Sequence, residues 1–231
     1  MSVIIAHASL DENKNIKNGQ AGDQTGKEVC TRTWYNKPWS YVIRFKDRTR
    51  ANKVADAMEM AAKNDNIGYD QNQRNTLLRE ARKYNYNISK VNVPCETDCS
   101  ALVSVACIYA GIPEGVLVLS GNCANTRNLR QLLEQCGGVD VFTSAAYVNH
   151  FDKLRRGDIL LKPGSHVAVV VKDDFPVDNS NVSDTMLIDK IAREVIAGKW
   201  GTGNERKQRL RAAGYNPAMI QARVNELLKR G

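Results

Sequence analysis

Residues 98–111 read Asp98-Cys99-Ser100-Ala101-Leu102-Val103-Ser104-Val105-Ala106-Cys107-Ile108-Tyr109-Ala110-Gly111. After the polar NVPCETD the run is apolar almost all round, the pattern of a buried helix, and it ends at Gly111 ahead of Pro113. Cys99 stands at the helix start, where unpaired backbone N–H groups and the helix dipole favour negative charge. The reading is a thiol with a lowered pKa that acts as a nucleophile. Cys107, among apolar neighbours in mid-helix, reads as a core thiol.

Strands and helices surround this element, so the fold class is α+β. VIIAHAS (3–9) and WSYVIRF (39–45) read as strands, with a turn-rich loop KNGQAGDQTG between them. From Arg48 the period becomes helical, with Val54, Met58 and Ala61 on one face. Further helices are predicted over 71–83 and 126–135, and further strands at VDVFTS (139–144), GDILLK (157–162) and HVAVVVK (166–172). The polar segment 173–185 reads as a linker. Residues 186–231 then carry three amphipathic helical stretches, LIDKIAREVIAGKW, NERKQRLRAAG and NPAMIQARVNELLKR, which predict a small three-helix bundle. The expected domains are therefore 1–172, a linker at 173–185, and 186–231.

The 231-residue chain is 42% apolar and 25% charged, which excludes wholesale disorder and fibrous classes. No apolar run reaches the ~18 residues of a membrane helix, and the N-terminus lacks a basic secretory n-region. The net charge of +8 is uneven. Residues 187–231 hold 10 basic against 4 acidic residues, and residues 1–186 hold 23 against 21. With no export signal read, the six cysteines are expected to be reduced thiols in a cytosol, and Cys95-x-x-x-Cys99 lacks the downstream Cys/His pair of a zinc site. No cofactor and no metal are expected, and neither a nucleic-acid nor a membrane partner.

A thiolate needs a base. Of three histidines, His166 opens the apolar strand 166–172, where its ring points out of the sheet end. Alternation places the small residues Ala168 and Val170 on its face, which is read as room for the helix carrying Cys99. His150 has no partner motif and reads as structural. Gly22-Asp23-Gln24-Thr25-Gly26 either lines a cleft, with Asp23 and Gln24 against substrate, or simply turns the chain.

Asp98-Cys99-Ser100 with its apolar helix, then Arg156-Gly157-Asp158-Ile159-Leu160, then Gly-x-His166-Val-Ala-Val-Val, together resemble the NlpC-type cell-wall peptidases and the related CHAP amidases. These are papain-like cysteine hydrolases of peptidoglycan. The resemblance covers residues 60–172. It implies Cys99 as nucleophile and His166 as base, with Tyr69, Asp98 and Ser100 near the substrate. The family takes a third polar residue, often His, from the strand after the base, and here that strand is missing. Val3-Ile4-Ile5-Ala6-His7-Ala8-Ser9 resembles the family's closing strand, and WYNKPWSYVIRF the one after it. The expectation is a circularly permuted domain in which His7 orients His166, with Asp173 and Asp174 as the fallback.

Residues 187–229 closely resemble the short CW-seven type wall-binding repeat of phage lysozymes. That implies Arg193, Arg206 and Arg209 on carboxylates, and Trp200 and Tyr215 on sugar rings. Together the resemblances imply a phage endolysin that cuts a peptidoglycan amide bond, either inside the stem peptide or between muramic acid and L-alanine. It would wait in the host cytoplasm until a holin releases it. The alternatives are a non-catalytic wall-binding or bacteriocin-like protein with a vestigial papain-like domain, and an acyl transferase.

Overall fold

The computed structural model describes residues 2–173, 179–213, 215 and 217–228. The chain divides into two compact units, Met1–Asp174 and Phe175–Gly231. The first unit runs β1 (Ile4–Ala8), β2 (Val29–Thr33), β3 (Tyr41–Phe45), α1 (Arg48–Ala61), β4 (Ile67–Tyr69), α2 (Thr76–Arg82), β5 (Cys95–Thr97) and α3 (Cys99–Tyr109). It continues with α4 (Glu114–Leu117), β6 (Val118–Leu119), β7 (Asn122–Cys123), α5 (Leu129–Cys136), β8 (Val139–Phe142), α6 (Ala145–Val148), β9 (Ile159–Lys162) and β10 (His166–Lys172).

Six strands form one antiparallel sheet in the order β2-β1-β10-β9-β3-β8. The mixed α+β architecture with an antiparallel sheet agrees with the sequence reading. The first strand of the chain lies beside the last strand of its unit, with Ile5 opposite Val170 and Ala6 opposite Val169. Val167, Val169 and Val171 face the core that α1 and α3 fill, whereas Ala168 and Val170 face a second cluster with Trp39, Val42 and Leu160. This corrects one expectation. The small residues on the His166 side do not make room for α3, which packs on the opposite face, so Cys99 meets the strand end at the Val167 amide.

α3 forms because ten of its eleven residues are buried and it holds no Gly or Pro; burial outweighs the lower helix preference of Val103, Val105 and Ile108. Each buried Leu, Val or Ile contributes ~1.5–3 kcal/mol. α1 is set by Asp47, whose carboxylate accepts from the Thr49 and Arg50 amides, and by Ala51, Val54, Ala55, Met58 and Ala61 on its inner face. Several boundaries differ from the sequence reading. The 71–83 helix starts only at Thr76, and the 126–135 helix at Leu129. NVPCETD contains β5, which pairs in parallel with β4. β2 was not foreseen: it intervenes after β1, and β3 crosses to the far side, between β9 and β8, instead of following the His7 strand.

Arg156-Gly157-Asp158 has a structural reason. A Cβ on Gly157 would lie 2.3 Å from the Ala51 carbonyl oxygen, and its φ is +84°, so only glycine lets α1 approach this turn. Asp158 is fully buried, and Arg44 grips it with Nε at 2.8 Å and Nη2 at 2.7 Å.

In the second unit, α7 (Asn179–Ile196), α8 (Gly203–Ala212) and α9 (Pro217–Leu228) share a cluster of Ile191, Ala192, Val195, Leu210, Ile220 and Val224. α7 begins at Asn179, inside the segment read as a linker. Among the described residues no helix is long and apolar enough to cross a membrane.

Replacing Asp158 by alanine removes the only carboxylate that Arg44 pairs with among the described residues and leaves it the Lys153 carbonyl. Urea denaturation is expected to show a loss of ~3–5 kcal/mol.

Candidate active site

The site gathers at one end of the β1–β10 pair. His7 and His166 lie on the same sheet face, and His7 Nδ1 is 2.8 Å from His166 Nε2. Both rings are buried, at 3% and 7% exposure. Trp39 stacks near His166 at 6.1 Å between centroids, and its Nε1 donates to the Tyr35 carbonyl. Tyr35 in turn lies 6.5 Å from His7. This aromatic wall holds the imidazoles in a dry pocket. Burial is the main reason His166 is held down to about 3 and His7 to about 4, with the His7 ring and the Lys37 and Arg32 charges adding to the effect on His166.

One of the two facing nitrogens carries the shared proton. In the tautomer where His166 Nε2 donates to His7 Nδ1, His166 Nδ1 keeps its lone pair and can accept a proton. Cys99 starts α3 across the strand end, with the Val167 and Ser100 amides facing its sulfur. Among the described residues no hydrogen bond joins the thiol to either imidazole.

The expected acidity of Cys99 is not what the structure shows. Burial pushes the thiol up to about 12, and the Asp98 charge adds to it. Asp98 adds to the effect of burial because it already occupies the helix N-terminus, accepting from the Ser100 and Ala101 amides at 2.9 and 2.7 Å. The field that would stabilise a thiolate is spent on a carboxylate.

Arg74, which the sequence reading missed, organises this end of α3. Its Nε and Nη2 hold Asp98 at 2.5 and 3.1 Å, Nη2 also reaches Ser100 Oγ and the Ala124 carbonyl, and Nη1 reaches the Cys123 carbonyl. NQRNTLL carries no motif that would have marked it. Asp98 and Ser100 are thus buried in a network that fixes the Cys99 turn. Tyr69 is buried and accepts from Gln71 Nε2 at 3.2 Å, and burial keeps its hydroxyl protonated.

Asp23 and Gln24 shape the loop before β2. Asp23 accepts from the Thr25, Lys27, Glu28 and Val29 amides, and Gln24 donates to the Ala21 and Gly22 carbonyls. The loop docks through Glu28, whose carboxylate accepts from the Tyr69 amide at 2.9 Å. Beside it Glu96 is 2% exposed. The Gly22 amide approaches, but neither Glu96 oxygen closes a hydrogen bond. Burial, with the Glu28 charge, pushes its carboxyl up to about 8.

Asp173 lies past the other end of β10, where it accepts from the Arg156 amide at 2.7 Å, so it cannot orient His166. Asp174 lies outside the described residues.

In the second unit Trp200 and Tyr215 meet edge to face at 5.8 Å, and Trp200 Nε1 donates to Glu194. Arg206 donates to the Gly201 carbonyl and Gln221, and Arg209 pairs with Glu205 at 2.6 Å. Arg193 lines a shallow depression with Lys190, Glu194 and Lys199.

A thiol at a helix start, facing a sheet end that carries a hydrogen-bonded histidine pair, has the parts of a nucleophile, a base and an orienting group. Residues 5–175 match the family described as Endolysin-like domain, and the chain belongs to that family. Residues 189–228 match the CW_7 repeat. The lysozyme of Streptococcus phage Cp-7 is 44% identical over 60 residues, which are 26% of this chain and 18% of that protein. The chain thus spans about a fifth of the length of this curated relative. No solved structure matches the chain.

Two stability measurements test these networks. Arg74→Lys keeps a charge but loses the planar two-pronged grip, and is expected to cost ~1–3 kcal/mol in urea denaturation. For Glu96, the folded carboxyl titrates at about 8 against 4.5 when unfolded. Its contribution is therefore complete below pH 4.5 and lost as pH rises through 8. Glu96→Gln removes this loss, so its Tm is expected to fall less than that of the wild type between pH 5 and 8.

Proposed function

We propose that the first unit is a papain-like cysteine hydrolase of peptidoglycan, circularly permuted so that its closing strand is the first of the chain. The observation that carries this reading is the 2.8 Å approach of His7 Nδ1 to His166 Nε2 across the β1–β10 pair. A general base needs a partner that fixes its tautomer and orientation, and a second buried histidine at hydrogen-bond distance meets that need.

In this mechanism Cys99 rests as a neutral thiol beside a neutral His166. On attack Sγ bonds to the substrate carbonyl carbon while its proton passes to His166 Nδ1, and His7 steadies the imidazolium through Nε2. The Cys99 amide is the oxyanion donor, because Asp98 already takes those of Ser100 and Ala101. His166 then protonates the leaving amine. The thioester that remains is hydrolysed by water, and His166 again takes and returns the proton. No step calls on a metal. The bond is an amide of the stem peptide or the one joining muramic acid to L-alanine.

The second unit is a three-helix wall-binding module. Arg193, Arg206 and Arg209 face carboxylates, and Trp200 and Tyr215 stack on sugars. Its surplus positive charge draws it to an anionic wall, an attraction that salt weakens. The whole acts as a phage endolysin, held in the host cytoplasm until a holin releases it. The relative's name, lysozyme, raises glycosidase action as a second reading. That chemistry needs two carboxylates at the glycan, and Glu28 and Glu96 are 1% and 2% exposed.

Clearing of a peptidoglycan suspension tests the reading. Cys99→Ser is expected to abolish clearing, and His7→Ala to slow it by ~100-fold or more, as loss of an orienting group does. New amino groups should appear without new reducing ends. Clearing by Cys99→Ser at the wild-type rate, or release of reducing ends, would overturn it.

A further inference from the structure

The same sheet face carries a charge pattern that the mechanism above does not use. In the β1–β2 ladder His7 lies opposite Cys30, and Arg32 lies opposite Ile5. Arg32 is therefore the diagonal neighbour of His7 on its own face, ~7–8 Å away between backbones, within reach of a long side chain. Its guanidinium lies over the Tyr35 ring at 4.6 Å, and Tyr35 packs against His7. Lys37 lies two residues further on, before Trp39, which stacks near His166. Both cations act on both imidazoles.

Neither side chain has a carboxylate or hydrogen-bond partner among the described residues. That is an unfavourable arrangement for the protein alone. Two cations beside a general base oppose its protonation and so work against catalysis. A bound anion would cancel that opposition. Arg32 sits over the Tyr35 ring, and among the described residues none of its N–H groups is given to a carboxylate, the group a guanidinium grips with two parallel hydrogen bonds.

We infer that Arg32 and Lys37 form a carboxylate subsite beside the His7–His166 pair, so that the preferred substrate is a stem peptide carrying a free α-carboxylate next to the scissile amide. The inference rests on the amide-hydrolase reading given above and names the substrate class of that site. Arg32 is the specificity-determining residue, held by Tyr35, and Lys37 supplies a second charge.

Two synthetic stem peptides that differ only in a carboxylate and its carboxamide test the inference on the full chain. Wild type is expected to favour the carboxylate peptide in kcat/KM. Arg32→Gln should lose ~10- to 100-fold on that peptide, mainly through KM, with no such loss on the carboxamide. Retained turnover of the carboxamide also shows that the variant is folded. A parallel calorimetric titration in a Cys99→Ala background should show Arg32→Gln weakening only the carboxylate peptide. Equal losses on the two peptides, or none, with Cys99-dependent hydrolysis intact, would overturn the subsite alone. If neither peptide is cut while calorimetry still shows the Arg32-dependent preference, the subsite stands and the amide-hydrolase reading fails. If neither cutting nor preference appears, both fail.

Discussion

The hydrogen bond between His7 and His166 joins residues 159 apart in sequence, and much of the first unit is arranged to permit it. It needs β1 beside β10 in one register, since a slip of one residue would turn His7 to the other face, against α3. It also needs both rings dry and fixed, which Trp39 and Tyr35 provide from the segment between β2 and β3. A lone buried imidazole would leave a ring nitrogen unsatisfied at a cost of ~1–3 kcal/mol. The pair resolves that for each partner on the shared side, and in doing so selects which nitrogen of His166 stays open.

Burial also sets the resting charge state. The thiol is held protonated and the histidines are held neutral, so the site stores no ion pair between them at rest. The helix N-terminus, which in principle favours a thiolate, serves Asp98 and through it Arg74. The gain is positional: a capped and clamped first turn holds Cys99 in one place. In the proposed mechanism ionisation is deferred until a substrate carbonyl is there to receive the electrons.

Much of this was legible in the residues. The all-apolar run after Asp98-Cys99-Ser100 could only be a buried helix, and the VIIAHAS and HVAVVVK strands declared themselves by composition. The placement of His7 next to His166 is what the resemblance to the NlpC-type peptidases implies, because the closing strand of that family has its likeness in VIIAHAS at the start of this chain. What escaped was information held in tertiary contacts. VCTRT is short, and its exposed half, Thr31 to Thr33, gives no apolar signal, so β2 was invisible. Arg74 matters because of Asp98 and the Cys123 carbonyl, 24 and 49 residues away in sequence, and Glu96 because of Glu28, further away still. The acidity of Cys99 was misjudged because a local rule about helix ends ignored both burial and the carboxylate already occupying that end.

The histidine pair can be observed directly by nitrogen-15 NMR of the imidazoles. Between pH 7 and 5 the account requires His7 and His166 to remain neutral, with His166 carrying its proton on Nε2 and that proton shared with His7 Nδ1. Titration of both rings in the ordinary histidine range near 6.5, or a His166 proton on Nδ1, would contradict it.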